Sequence, residues 1–204
     1  MYPSETLPSQ AALRRYVELR DAARDLITAD PKDSLNVHDT YLHLCKTYGY
    51  PLCNHYVEYL ARYAVAQSAI SKGVADRVLH MVRRLDFSPT YVGKRAWLPI
   101  FVTLSNCVLL HSLSLSNQQL DSELVLLLTS SLPPLVQLSC LDLSGNPIGC
   151  TGVQALIRLV RTFPALVYCN IHGSASIAPL TRRLETALAH NQRHASQTEV
   201  ERHE

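Results

Sequence analysis

Between residues 82 and 177 the apolar positions follow two rhythms in alternation. A short stretch alternates apolar with polar residues, as a half-buried strand does, and the spacing then lengthens to that of a helix. The cycle then restarts. Four copies of one pattern begin at Val82, Leu110, Leu138 and Leu166, each 28 residues after the last. Positions 1, 4, 6 and 11 read Val82, Leu85, Phe87, Val92; Leu110, Leu113, Leu115, Leu120; Leu138, Leu141, Leu143, Ile148; and Leu166, Cys169, Ile171, Ser176. Fifteen of these sixteen are apolar if cysteine is counted, in a chain that is 47% apolar, so the period and not the composition carries the signal. A fixed period means one structural unit stacked on itself.

Each unit reads as strand, turn and helix. In the third, Thr151 caps a helix from Gly152 to Phe163 whose inward residues are Val153, Leu156, Ile157, Leu159 and Val160, and Pro164 begins the return. In the second, Leu120–Asp121–Ser122 precedes a helix from Glu123 to Leu132, stopped by Pro133–Pro134. No such unit buries its apolar face alone, so the units must stack. Helices are wider than strands, so stacking predicts an α/β solenoid. Parallel strands line the concave face of a short arc, and the helices lie outside.

Both ends of such an arc expose core and need covers. Before Val82 the pattern predicts helices at Ser9–Ala29 (stripe Ala12, Tyr16, Leu19, Ala23, Leu26, ended by Pro31), Asp39–Tyr48 (closed by Gly49), Asn54–Gln67 (stripe Tyr56/Val57, Leu60, Ala64) and Val74–Met81. After the repeats, Pro179 to His190 places Leu180, Leu184, Ala187 and Leu188 on one face. The organisation expected is residues 1–80 as a helical N-terminal cap region, 81–177 as four repeats, 178–190 as a C-terminal capping helix and 191–204 as a disordered tail.

Charge narrows the partners. With 19 basic and 17 acidic residues the net charge is +2, too balanced for nucleic acid as the main partner. Basic pairs (Arg14–Arg15, Arg83–Arg84, Lys94–Arg95, Arg182–Arg183) read as solvated faces. The start MYPSETLPSQ has neither the basic nor the apolar region of a secretory signal, and Ala96–Leu110 is broken by Pro99, Thr103, Ser105 and Asn106, so no membrane span is expected. Six scattered cysteines suit a reduced, cytoplasmic setting. Seven spread-out glycines form no phosphate-cradling loop, and neither a cofactor nor a small-molecule substrate is expected.

The stretch Leu138-Ser-Cys-Leu141-Asp-Leu143-Ser-Gly-Asn146-Pro-Ile148, followed by Gly152-Val-Gln-Ala-Leu156, resembles the leucine-rich repeats of the ribonuclease-inhibitor-like subtype. The resemblance covers roughly residues 82–190. In that family the Asn at position 9 bonds backbone in the turn and builds a ladder between units. Here position 9 holds Thr90, Gln118, Asn146 and Ser174, so the ladder is expected to be incomplete. The fourth unit carries Ser176 at position 11 and Ile177 one residue late, as a unit grading into its cap would.

The resemblance implies a scaffold that binds a partner protein through its concave face. Positions 3, 5 and 7 point to that face: Arg84, Asp86, Ser88; Ser112, Ser114, Ser116; Cys140, Asp142, Ser144; Tyr168, Asn170, His172. The candidate protein-binding set is Arg84, Asp86, Ser112, Ser114, Ser116, Asp142, Tyr168, Asn170 and His172, a serine-rich middle with charged and aromatic anchors at its ends. Two other clusters carry candidate chemistry. His43-x-Cys45 and Cys53-x-His55 have the ligand types of zinc, but one residue between ligands is too few and sends neighbours in different directions. Cys140, His172 and Asn170 could share a patch, but nothing there encloses a nucleophile from water. The expected function is therefore a non-enzymatic interaction module of an intracellular assembly, with cytoskeletal or ciliary structures as natural hosts. The alternatives are regulators of Ran GTPase-activating or tropomodulin-like actin-capping type. The mixed tail (Arg193, Glu199, Glu201, Arg202) departs from the acidic tail of the former, and the helical actin-binding segment of the latter has no evident match.

Overall fold

The computed structural model describes residues 10–28, 36–71, 80, 82–174 and 177–201. The expected cap at Ser9, the stop at Pro31, most of the helix Val74–Met81 and the odd Ser176 lie outside the described residues.

Among the described residues three helices come first. α1 (Gln10–Thr28) buries Tyr16, Leu19 and Ala23, the centre of its predicted stripe. α2 (Val37–Tyr48) opens two residues earlier than expected because the Asn36 side chain accepts the Asp39 N–H at 2.9 Å. It closes on Gly49, whose φ of 67° lies in the left-handed region that only glycine adopts without strain. α3 (Asn54–Ser71) turns Tyr56, Tyr59, Leu60 and Tyr63 inward, all at most 3% exposed. The predicted stripe of Tyr56/Val57, Leu60 and Ala64 leaves out Tyr59 and Tyr63, although both carry as much apolar ring as Tyr56, and Val57 and Ala64 are only half-buried.

Four three-residue strands follow, β1 (Arg84–Asp86), β2 (Ser112–Ser114), β3 (Cys140–Asp142) and β4 (Tyr168–Asn170), paired in parallel in chain order. Each register step is 28 residues: Leu85 pairs with Leu113, Leu113 with Leu141, and Leu141 with Cys169. The middle residue of every strand is buried. Parallel neighbours need a crossover. It is supplied by α4 (Trp97–Leu104, after a short 3-10 turn at Lys94–Ala96), α5 (Ser122–Ser131) and α6 (Cys150–Thr162), each packed on the next. The last helix, α7 (Ala178–Glu201), packs on α6. All fifteen described inward positions of the 28-residue pattern are at most 8% exposed. They form one core with the N-terminal helices.

α4 is buried almost all round because it lies between α1 and α2 on one side and α5 on the other. The phenol hydroxyls of the first block tie it to the units. Thr103 sends its proton to the Pro99 carbonyl, so Tyr56 donates to Thr103 at 3.2 Å. Tyr59 donates to the Val82 carbonyl at 2.8 Å and Tyr63 to that of Asn106 at 3.2 Å. Tyr16 shares a 2.8 Å bond with Ser131.

The ladder between units is fuller than the sequence predicts. Asn146 donates to the carbonyls of Leu115 (2.7 Å) and Leu143 (2.9 Å) and accepts from the N–H groups of Gln118 (2.9 Å) and Leu120 (3.0 Å). One unit earlier, Gln118 makes an overlapping set: like Asn146 it donates to the preceding unit's position 6 (Phe87, 2.9 Å) and accepts from its position 11 (Val92, 3.1 Å), and it donates also to Thr90 at 2.9 Å. Glutamine therefore does the work of asparagine, since the two share one amide chemistry. Position 8 is left-handed in units two to four (Asn117, Gly145, Gly173), but unit two adds a second left-handed residue, Gln119, beside the longer side chain. At Gly145 a Cβ would also lie 2.0 Å from Asn117 Oδ1, so glycine is required twice over.

The sequence reading ends the last helix at His190 and places residues 191–204 in a disordered tail. Instead α7 continues to Glu201, and Asn191 is 4% exposed. Its amide donates to the carbonyls of Val160 (2.9 Å), Phe163 (3.1 Å) and Leu166 (3.0 Å). Those groups lie where α6 ends, and a helix end buried without partners is costly.

Candidate functional site

The outward residues of the four strands form two rows set by the register. Arg84, Ser112, Cys140 and Tyr168 are successive partners, and so are Asp86, Ser114, Asp142 and Asn170. Neighbouring strands lie about 4.8 Å apart, so each row runs roughly 14 Å across the sheet. Arg84, Asp86, Tyr168 and His172 are exposed, while Ser112, Ser114, Asp142 and Asn170 are half-buried. Ser116 is buried and its carbonyl accepts from Gln118, so it belongs to the turn more than to the surface. Cys140, outside the candidate set, is half-buried within the first row between Ser112 and Tyr168.

Position 5 has a structural duty as well. Asp86 Oδ1 accepts the Ser88 N–H at 2.8 Å, Asp142 Oδ1 that of Ser144 at 2.9 Å, and Asn170 Oδ1 that of His172 at 3.0 Å. Each side chain so closes its turn. Burial works against the Asp86 carboxylate, but hydrogen bonds from Ser88 and Ser114 and the nearby His55 outweigh it and lower its pKa. Asp86 is therefore an anion at neutral pH.

One neighbour of the face carries no signal in the repeat pattern. His55 of α3 donates from Nε2 to the Asp86 carbonyl at 2.6 Å. Beside it a pocket of about 510 Å³ is lined by Leu52, His55, Tyr91 and Val92, with Tyr91 68% exposed. No periodic signal marks Leu52 or Tyr91, which sit in connections. His55 was visible only as a zinc candidate.

The other clusters resolve differently. Tyr41 accepts the Cys53 N–H at 3.0 Å, and burial raises the Cys45 and Cys53 thiols. His43 is exposed. Among the described residues no group of three or more His, Cys, Asp or Glu is placed to hold a metal ion. Cys140 pairs with Tyr168, and Asn170 spends its carbonyl on the His172 backbone. No helix among the described residues is long and apolar enough to cross a membrane.

These features, a parallel sheet of one strand per 28 residues with an amide ladder in its turns, define a leucine-rich-repeat-like fold. The sequence matches no protein-family model and no curated protein. Among solved structures the chain is similar to leiomodin-1 actin-binding site 2, with a TM-score of 0.51 and 12% sequence identity, over 60% of this chain and 87% of that one. The likeness is one of fold.

Proposed function

We propose that this chain is a non-enzymatic protein-binding module of the actin cytoskeleton, which engages its partner through the outward face of the sheet. In this reading residues 82–177 are leucine-rich repeats of the ribonuclease-inhibitor-like subtype, stacked as a short solenoid with a helical cap at each end. The observation that carries it is the fold likeness to a solved actin-binding site, most of whose length this chain covers. The polar face supports it: two in-register rows with Arg84 and Tyr168 at the ends and small serines between let a partner approach closely. Arg84, Asp86, Ser112, Ser114, Asp142, Tyr168, Asn170 and His172 are the proposed contacts, and Ser116 supports them from below. Actin is the proposed partner and the cytoskeleton the proposed location.

The test is co-sedimentation with actin filaments together with an actin-elongation assay. Wild-type protein is expected to pellet with filaments or to slow elongation. Replacing Arg84 and Tyr168, both exposed, by alanine should abolish the effect with the melting temperature nearly unchanged. Wild-type protein that neither pellets nor alters elongation overturns the proposal.

A further inference from the structure

Four basic residues of the first half have acidic partners: Arg20 and Arg24 with Asp21 at 3.2 and 3.1 Å, Arg62 with Glu58 at 3.9 Å, and Lys94 with Asp121 and Glu123. From Cys150 to Gln197 the chain holds five arginines (158, 161, 182, 183, 193) against one acid, Glu185. Among the described residues none of Arg158, Arg161 and Arg183 enters an ion pair or a side-chain hydrogen bond.

These three converge. A cavity of about 310 Å³ between α6 and α7 is lined by Gln154, Ile157, Arg158, Arg161 and Arg183. A second, of about 360 Å³, continues it along the helices past Thr186, Ala187, His190 and Asn191, sharing Arg161 and Arg183. Arg158 and Arg161 stand one turn apart on α6, and Arg183 faces them from α7. Arg161, in the last turn of α6, is favoured by the helix dipole. Arg183, in the second turn of α7, has no such support.

We propose that the α6–α7 groove is a second binding surface, built for an acidic segment of a partner protein. Arginine forks take carboxylates two bonds at a time, and the spacing along α6 suits carboxylates about one helical turn apart, about 5.4 Å. The groove is long, and buried Ile157 and Ala187 form part of its floor. A compact phosphate would gain less here. The arginines stand within helices, where backbone N–H groups are committed to the helix and cannot cradle an anion. A bilayer surface cannot enter a groove between two helices.

The measurement is fluorescence anisotropy of a labelled glutamate-rich peptide with interspersed leucines, titrated with the whole protein. Inorganic polyphosphate and phosphatidylserine vesicles serve as competing probes. Binding of the peptide is expected, with affinity falling as salt rises. The double variant Arg161→Ala, Arg183→Ala should weaken it by about tenfold or more, and Arg161→Lys, Arg183→Lys should restore part of that. All three arginines are exposed, so the fold should survive, as a thermal melt would confirm. The inference is independent of the sheet face: Arg84→Ala with Tyr168→Ala should leave the peptide isotherm unchanged. Absence of peptide binding, equal binding by the double variant, or tighter binding to polyphosphate or vesicles overturns it.

Discussion

The two ends of the sheet are closed by opposite means. At the β1 end the cover is broad and aromatic: α3 lays Tyr56, Tyr59 and Tyr63 against the first unit, and Tyr59 and His55 satisfy the carbonyls of Val82 and Asp86. Tyr56 also packs edge-on against Tyr41, with ring centres 4.9 Å apart. At the β4 end most of the polar work falls to one amide, Asn191, which holds three carbonyls, with Gln192 adding a bond to Val167 at 2.9 Å. An unpaired sheet edge or helix end must be satisfied in either case. The comparison shows that the same requirement can be met by many weak, redundant contacts or by a single residue with no substitute.

The largest loss should come from opening the aromatic end. Tyr56→Ala removes a fully buried ring and should lower stability by about 3–5 kcal/mol, measured by urea unfolding. Next comes Asn191→Ala, which strips three buried carbonyls of their donor and should cost about 2–3 kcal/mol. Asn191→Asp should do no better, because a carboxylate has no proton to give. If Asn191→Ala proves neutral, the contrast between the ends is wrong. Removing one hydroxyl at the redundant end should matter less: Tyr59→Phe keeps the ring and should cost about 1–2 kcal/mol.

The mildest perturbation is alkaline pH. Burial raises Cys107, on the α3 side, to a pKa of about 12. Burial and the nearby Asp142 raise Cys169, in β4, to about 12 as well. An unfolded thiol ionises near roughly 8.5. The folded pKa values are the higher, so this contribution to stability is complete below about pH 8.5 and is lost as pH climbs toward 12. Melting temperature should drift downward above about pH 8.5, and Cys107→Ala and Cys169→Ala should each flatten the drift. A melting temperature indifferent to pH in that range would show that the thiols are not held in a dry core.

What could be read in the sequence followed how strongly each feature repeats. The strand positions recur four times, and Leu85, Leu113, Leu141 and Cys169 take up the predicted register. α5 and α6 follow: Asp121 caps α5 and the five inward residues read for α6 are buried, although α6 opens at Cys150 on Gly149 and not behind a Thr151 cap. Asn191 could not be read this way: it occurs once, in a polar stretch, and its value depends on carbonyls 25 to 31 residues earlier in the chain. Gln118 is hard to read for a related reason: the pattern asks for Asn, whereas the turn requires an amide that reaches Phe87 and Val92. Of the candidate face, the rows were legible because position alone fixes them. The turn-closing role of Asp86, Asp142 and Asn170 was not, since it depends on a backbone N–H two residues on.

The central claim is that the sheet face, and not the helix side, meets actin. Site-specific photocrosslinking tests it most directly: benzoylphenylalanine replaces Tyr168 in one protein and Gln154 in another, and each is irradiated with actin. A crosslink to actin from position 168 and none from 154 is the predicted result. A crosslink from 154 alone, or from neither, contradicts the account.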